Sequence, residues 1–266
     1  MKGQLTFVGL GLYDEEGISL RGKKAVKNAD IVFAEFYTCL LSTSNPNQLS
    51  TTLEKEVIIL DREKTENGEQ ILREAEKKNV VFLTSGDPMI ATTHVDLRMR
   101  AHQKGIPTRI IHSGSIVTAA PGLLGIQNYK FGRTTTLAYP QGEYFPTSPY
   151  DVIKENFKLG LHTLVLLDIQ AEKNRYMTAN EALNLLLEME EKRKENLLSS
   201  DSLVAVVARA GSDDALTRAD TLGTLRKEDF GGPLHTVVIP GKLNFMELEA
   251  LELLCGLPKM IAKRYE

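Results

Sequence analysis

The sequence predicts an α/β protein made of two domains. Short apolar, strand-like segments recur between helix-like segments through the first part of the chain, which is the spacing of βαβ units. The 266 residues suffice for roughly two domains at about 150 residues each. Because the alternation becomes less regular after residue 114, we expect an N-terminal α/β domain over residues 1–114 and a C-terminal α/β domain with a mixed sheet over residues 115–266.

The strand-like segments of the N-terminal domain are apolar throughout and do not alternate with polar residues. Strands that are covered by helices on both faces have this composition, and they are usually parallel. These segments are residues 5–9, 31–35, 57–60, 80–84 and 109–112. In the C-terminal domain the predicted strands are residues 134–139, 163–168, 203–208 and 235–239.

The strongest helix prediction covers residues 179–194. Thr178 and Glu181 form the pattern of a capping box at its start, and apolar residues follow at helical spacing. Thr93 and Asp96 form a similar pattern, which predicts a capped helix in the N-terminal domain. The other helices predicted in the C-terminal domain are residues 150–159 and 245–255.

Charge and hydropathy exclude several classes of protein. The chain has 32 Lys and Arg against 35 Asp and Glu, a net charge of −3, and no long basic stretch, so it lacks the pattern of a nucleic-acid-binding protein. Apolar runs such as residues 203–208 fall far short of the roughly 18–20 residues of a membrane-spanning helix. The apolar run at residues 5–12 leads into acidic residues with no small-residue cleavage site, so secretion is not expected.

The cysteines and histidines favour a reduced protein without a metal. Cys39 lies in an apolar segment, and Cys255 shares a helical stripe with Leu248 and Leu251, so both are expected to be buried thiols rather than a disulfide. The five histidines show no HxxxH or CxxC spacing, and no metal site is predicted. With the charge pattern, this predicts a cytoplasmic protein that binds neither membrane nor nucleic acid.

Four glycine-containing segments lie at or just after the ends of predicted strands. Open α/β sheets bind ligands at the carboxyl ends of their strands, where glycine allows the backbone to approach a ligand closely. Each segment alone fits an ordinary turn or helix cap, but their joint occurrence favours a ligand site. They are Gly9–Gly11, Thr84–Pro88, His112–Ser115 and Ala210–Ser212.

Other ligand classes are less well supported. Gly9 and Gly11, with Glu35 at the end of the second strand, suggest a nicotinamide-dependent oxidoreductase, but Asp14 stands where the third glycine belongs. No Gly-Lys-Ser/Thr phosphate loop and no Gly-x-Ser-x-Gly hydrolase motif occurs. A non-catalytic binding protein stays open as an alternative, although it leaves the strand-end glycines unexplained.

Longer blocks of the sequence resemble the diphthine synthase family. The match runs nearly end to end, and the shorter Gly-x-Gly and Gly-Asp-Pro elements are shared with the wider group of tetrapyrrole-methylase-like methyltransferases. The blocks are Val8–Leu12, Ala34–Thr38, Gly86–Pro88 with Ala91–His94, Tyr129–Gly132, Gly160–Ile169 and Pro240–Leu243.

The resemblance implies an S-adenosylmethionine (SAM)-dependent methyltransferase, usually a homodimer, with the cofactor in the cleft between two α/β domains. Its substrate would be translation elongation factor 2, at a histidine that already bears a 3-amino-3-carboxypropyl group. Repeated N-methylation of that amino group yields diphthine in diphthamide biosynthesis, with S-adenosylhomocysteine as the other product and no metal. The stretch over residues 176–182 resembles archaeal members. A tetrapyrrole methyltransferase of the same fold is the alternative.

The family motifs also imply which residues bind the cofactor. Apolar members would sandwich the adenine and offer backbone groups to its edge, Asp87 would accept hydrogen bonds from the ribose or the ammonium, and His235 fits a packed strand-start residue nearly as well. The implied cofactor-binding residues are Leu10, Asp87, Ile90, Ser115, Ile116, Leu167, Ala210 and His235. No catalytic residue is assigned, since methyl transfer to an amine depends mostly on positioning and we expect solvent to take the proton.

Two segments carry separate expectations. Residues 119–124 depart from the family pattern by an extra residue and a proline, and a helix that begins at residues 115–120 is expected to stop at Pro121-Gly122. The aromatic loop over residues 139–146 has two interpretations, packing of the loop itself or cation–π contact with the substrate ammonium, of which packing is favoured.

Overall fold

The computed structural model describes residues 3–37 and 46–266. The chain forms two compact units: Met1–Ile116 with Ala171–Asn174, and Val117–Gln170 with Arg175–Glu266. The boundary predicted after residue 114 falls just before this division, and the short segment 171–174 belongs with the first unit.

The first unit contains a five-stranded sheet in the order β3-β2-β4-β1-β5. All its strand pairs are parallel, as predicted from their apolar composition. The strands are β1 (Gln4–Gly9), β2 (Ile31–Glu35), β3 (Ile58–Leu60), β4 (Asn79–Thr84) and β5 (Thr108–Ile111). The helices are α1 (Leu20–Lys27), α2 (Pro46–Thr52), α3 (Arg62–Asn67), α4 (Glu69–Ala75) and α5 (His94–Gln103).

The sheet of the first unit is buried on both faces. Successive residues of a strand point to opposite faces, so Phe7 and Phe82 join one apolar cluster while Val8 and Val81 join another. This two-sided burial explains why the strands read as continuous apolar runs. It also fixes the strand register, which pairs Gly9 with Thr84 where β1 and β4 end.

The start of α5 differs from its prediction. Thr93 is the N-cap residue, but its side chain makes no capping hydrogen bond. The backbone N–H of His94 instead donates to Oγ1 of Thr92 at 3.3 Å. The capping box predicted from Thr93 and Asp96 is therefore wrong, because the preceding threonine supplies the acceptor.

The second unit has a mixed five-stranded sheet in the order β11-β10-β12-β7-β6, as predicted. Only the β6–β7 pair is parallel among these strands. The strands are β6 (Thr135–Leu137), β7 (Thr163–Leu167), β8 (Ile169–Gln170), β9 (Arg175–Tyr176), β10 (Leu203–Ala208), β11 (Leu216–Thr221) and β12 (His235–Ile239), with β8 and β9 forming a separate pair. The helices are α6 (Ile116–Leu124), α7 (Ser148–Lys158), α8 (Ala179–Arg193), α9 (Leu222–Leu225), α10 (Phe245–Cys255) and α11 (Lys259–Ala262).

Helix α6 does not stop at Pro121, which contradicts the prediction. Ala120, Pro121 and Leu124 are all buried, and the helix continues to Leu124. Proline in a helix loses one backbone hydrogen bond but has a φ angle that the helix can use. Burial of the apolar residues on both sides of the proline offsets that loss.

Two other helix predictions are confirmed. Thr178 and Glu181 make the reciprocal bonds of a capping box at the start of α8. Leu248, Leu251 and Cys255 are buried on one stripe of α10, with Cys255 as a free thiol. Cys39 lies outside the described residues.

Within the described ranges, no helix is both long and apolar enough to cross a membrane.

A buried carboxylate, Glu247, joins several elements of the second unit. Its oxygens accept hydrogen bonds from the ammonium of Lys130, from His162 Nε2 at 3.1 Å and from the Gln127 backbone at 3.1 Å. It also closes a capping box with Asn244 at the start of α10. Burial opposes ionisation of Glu247, but Lys130 and these hydrogen bonds outweigh it and hold the carboxyl pKa below its ordinary value.

Replacing Glu247 with Gln should lower the free energy of unfolding by about 3 kcal/mol, because the ammonium of Lys130 then has no carboxylate to face. The matched control is Glu249→Gln, an exposed carboxylate on the same helix, which should stay within about 0.5 kcal/mol of wild type. Urea unfolding followed by circular dichroism measures both. Equal losses in the two variants would show that Glu247 is not a structural centre.

Candidate cofactor site at the strand ends

The loops after β1 and β4 are bonded to each other through their backbones. Gly11 N–H donates to the Gly86 carbonyl at 3.3 Å, and Gly86 N–H donates to the Gly11 carbonyl at 2.6 Å. Leu10 N–H adds a bond to the Thr84 carbonyl at 2.8 Å. The two loops thus form one rigid rim at the carboxyl edge of the parallel sheet.

Glycine is required in this rim for two different reasons. A Cβ on Gly9 would lie 2.4 Å from the Gly86 carbonyl oxygen, so the close approach of the loops excludes any side chain there. Gly86 has a φ of +64°, which side chains rarely adopt. A Cβ on Gly86 would nevertheless meet its nearest described neighbour, the Gly114 carbonyl oxygen, only at 4.0 Å. The Gly86 backbone therefore borders open space that a ligand can use.

Asp87 connects the rim to the end of β5. One oxygen accepts the Met89 backbone N–H at 3.1 Å, and the other accepts His112 Nδ1 at 2.7 Å and the Ser113 N–H at 3.4 Å. The carboxylate is thereby held in a fixed orientation by protein donors. This arrangement links residues that are far apart in the sequence.

Thr84 and Ser85 each carry a buried hydroxyl beside the rim. Within residues 3–37 and 46–266, Oγ1 of Thr84 and Oγ of Ser85 make no hydrogen bond, although both residues are buried. Buried polar groups are normally paired, so such hydroxyls at a strand end indicate a place where a ligand or water supplies the partner. The open space beside the Gly86 backbone is the feature of this edge that a polar organic cofactor could occupy.

His94 contacts the loop after β4, which forms one half of the rim. Its Nδ1 lies 3.2 Å from the Pro88 carbonyl, and its ring packs edge-on against Phe82 with centroids 5.1 Å apart. Burial lowers the pKa of His94, so the imidazole is neutral at pH 7 and donates from Nδ1 to the carbonyl. His94 thus holds the residue that follows Asp87.

Glu35 does not lie where a dinucleotide ribose could reach it. Its side chain is fully buried, accepts the Tyr37 N–H at 3.0 Å and lies 3.7 Å from Nε2 of His94. An acid that binds a ribose must be accessible to the ligand. The oxidoreductase interpretation, which rested on Gly9, Gly11 and Glu35, therefore loses its proposed ribose-binding acid.

In the second unit, the strand-end loop after β10 is held by Arg209. This residue has a φ of +50°, and its guanidinium bonds the Asp214 carboxylate at 2.6 Å and the Gly232 carbonyl at 3.2 Å. Ala210 follows directly. Because β12 is antiparallel to β10, Ala208 pairs with His235, and the start of β12 adjoins the end of β10.

Both ring nitrogens of His235 are engaged inside the second unit. Nδ1 accepts the Ala179 N–H at 3.1 Å, and Nε2 donates to the Gly232 carbonyl at 2.9 Å. Burial lowers the pKa of His235, which is consistent with this neutral form. The structure thus shows a packed strand-start imidazole.

The implied cofactor residues fall into two groups. Five lie at the carboxyl edge of the first sheet and three lie at one edge of the second sheet, at the ends of β7 and β10 and the start of β12. The first group is Leu10, Asp87, Ile90, Ser115 and Ile116, and the second is Leu167, Ala210 and His235. Most of them are buried, whereas the side chain of Ile90 is substantially exposed. Sequence reasoning did not single out Thr84 or Ser85, although both belong to a segment that it had marked.

The aromatic loop over residues 139–146 packs against the protein's own cations. The Arg175 guanidinium lies 3.5 Å from the ring centroid of Tyr139, and Lys192 lies 4.7 Å from that of Phe145. Burial, together with Glu181, raises the pKa of Tyr139 to about 12, and its hydroxyl donates to Glu181 at 2.9 Å. These contacts support packing as the role of this loop.

Among the described residues, no group of three or more His, Cys, Asp or Glu is placed to hold a metal.

Comparison with known proteins gives the class to which this fold and these loops correspond. Residues 4–226 match the family model of tetrapyrrole (corrin/porphyrin) methylases. The chain is 51% identical over 251 residues to diphthine synthase of Methanococcus maripaludis, covering 94% of this chain and 98% of that protein. It is 47% identical over 260 residues to diphthine synthase of Methanothermobacter thermautotrophicus, covering 98% of each.

The solved structures agree with the sequence relatives. The crystal structure of a diphthine synthase superposes with a TM-score of 0.89 at 38% sequence identity and covers 98% of this chain and 99% of that one. The chain therefore belongs to the diphthine synthases within the tetrapyrrole methylase family. Its activity is SAM-dependent methylation in diphthamide biosynthesis. The resemblance read from the sequence is confirmed.

Replacing Gly9 with Ala should separate the loops after β1 and β4, because its Cβ would lie 2.4 Å from a backbone oxygen. We expect a loss of about 3 kcal/mol of stability, at the upper end of typical overpacking costs. Gly122→Ala is the control, since a Cβ there meets no described atom within 4 Å and α6 gains up to about 1 kcal/mol of helix propensity. Thermal unfolding of both variants tests this, and an unaffected Gly9 variant would show that the rim yields easily.

Proposed function

We propose that this chain transfers methyl groups from SAM to the amino group of a 3-amino-3-carboxypropyl histidine on translation elongation factor 2. We further propose that it does so in the cytoplasm as a homodimer, without a metal. The chain is 51% and 47% identical to two diphthine synthases over 94% and 98% of its length, and this similarity supports the function. The rim formed by Gly11 and Gly86 is the structural feature that supports SAM as the ligand.

The proposed cofactor contacts follow from the chemistry of each residue. The apolar side chains at the strand ends would hold the adenine, and the glycine backbones would allow the amino-acid part to approach closely. Asp87 and Ser115 would meet the polar groups of the cofactor. When bound, SAM supplies a methyl group on a sulfonium, which an amine nitrogen can displace. The protein then contributes orientation of the reactants, which can remove several kcal/mol of the barrier.

The direct test is mass spectrometry of elongation factor 2 that carries the aminocarboxypropyl histidine. After incubation with this protein and SAM, the modified peptide should gain about 14 Da per methyl group, and omission of SAM should abolish the gain. Methylation of a precorrin, with none of elongation factor 2, would favour the tetrapyrrole alternative. Thermal stabilisation by NAD(H) but not by SAM would favour the oxidoreductase.

Gly86→Ala tests the proposed position of SAM. Its positive φ makes alanine costly by about 1–2 kcal/mol, but the methyl group would enter open space where we place the cofactor. We therefore expect at least tenfold weaker SAM binding by calorimetry.

Gly105→Ala is the matched control for this strain. Gly105 has a φ of +71°, and a Cβ there also meets no described atom within 4 Å, but it precedes β5 at the opposite edge of the sheet. It should lose similar stability and retain SAM affinity. Equal SAM affinity in the two variants would remove Gly86 from the site.

A further inference from the structure

An imidazole and a buried carboxylate form a pair at the carboxyl edge of the first sheet. His112 follows β5 directly, and its Nδ1 lies 2.7 Å from Oδ2 of Asp87. The imidazole side chain is 70% exposed, whereas the carboxylate is 8% exposed. Within residues 3–37 and 46–266, no hydrogen bond engages Nε2 of His112. One ring nitrogen is therefore anchored, and the other is available to a ligand.

The pairing determines which nitrogen carries the proton. An ionised carboxylate can only accept, so Nδ1 of neutral His112 must donate, and the lone pair lies on Nε2. Backbone N–H groups of Met89 and Ser113 hold the two oxygens of Asp87, so the carboxylate cannot easily turn away. His112 thus presents a base with a fixed tautomer and orientation.

The other four of the five histidines lack this combination. His162 also meets a carboxylate, but it is fully buried and both its nitrogens are bonded. His235 is bonded at both nitrogens, and His94 is buried. His102 is exposed, but it bonds a threonine at the start of β5, at the opposite edge of the sheet.

We propose that His112, oriented by Asp87, is the general base of the methyl transfer. Nε2 takes a proton from the substrate ammonium and leaves a neutral amine. The amine lone pair forms the new N–C bond as the C–S bond breaks, and that electron pair stays on sulfur to give S-adenosylhomocysteine. The imidazolium, stabilised by Asp87, then releases its proton to solvent.

The chemistry of the proposed substrate requires such a step. An α-amino group is protonated below a pKa of about 8, and an ammonium has no lone pair with which to attack. Each methylation also leaves a charged nitrogen, which must lose another proton before it can react again. Histidine is the side chain best suited to this transfer near neutral pH. The proposed base would take the proton that the sequence led us to assign to solvent.

His112 has a carboxylate within ion-pair distance. Among the described residues, Asp87, on the loop after β4, is the charged group within ion-pair distance of its ring. The imidazolium formed during turnover therefore faces a carboxylate. This is the charge arrangement in which an acid stabilises a transient imidazolium.

His112→Ala tests the assignment, which rests on the proposed function. The substrate is elongation factor 2 bearing the aminocarboxypropyl histidine, and single-turnover rates are measured at saturating SAM between pH 6 and 9. We expect a rate at least 100-fold below wild type at pH 7. The deficit should narrow above about pH 8, where the amine loses its proton to solvent, and added imidazole should restore part of the rate. SAM affinity by calorimetry should stay within about threefold of wild type.

His102→Ala is the matched control, because it removes an exposed histidine away from the site and should leave the rate and its pH profile unchanged. An unaltered rate for His112→Ala would overturn the assignment. So would a loss that is equal at every pH and insensitive to imidazole, since that pattern indicates a structural role. If wild type itself transfers no methyl group, the proposed function fails, and this result is distinguishable from a deficit confined to the His112 variant.

Discussion

The pair of backbone hydrogen bonds between Gly11 and Gly86 is the constraint on which the candidate site depends. These bonds require β1 and β4 to be parallel neighbours that end at the same level, and the apolar clusters on both faces of the sheet keep them so. They also require that Gly9 carry no side chain. Once the loops are joined, Leu10 and Asp87 are fixed beside each other. Asp87 in turn bonds His112 and Ser113, the two residues that follow β5.

Much of the fold could be predicted from the sequence, because burial and local chemistry determine it together. Strands β2, β10 and β12 have the bounds that their apolar runs predict, and the capping box of α8 forms as its residues indicate. Strand β11 was not predicted. It lies at the edge of its sheet and is only partly buried, so its sequence, LTRADT, carries little apolar signal.

The remaining differences arise where tertiary contacts override a local rule. Pro121 is a helix breaker by propensity, yet packing of its apolar neighbours keeps α6 intact. Similarly, the glycines of the candidate site were visible in the sequence, but the pairing of Asp87 with His112 was not. These residues are separated along the chain and meet only because β4 and β5 flank β1 in the parallel sheet. The spacing of residues along the sequence does not by itself predict which strand ends become neighbours.

The three buried imidazoles link the folded state to proton uptake. Burial keeps the pKa of His94, His162 and His235 below the ordinary value, so the native protein leaves them unprotonated. The unfolded chain, by contrast, binds a proton at each of them below about pH 6.5. Their contribution to stability is therefore complete above that pH and declines on acidification, by up to about 1.4 kcal/mol per pH unit for each histidine until its native pKa is reached. The packing that orders these strand ends thus also makes the protein sensitive to acid.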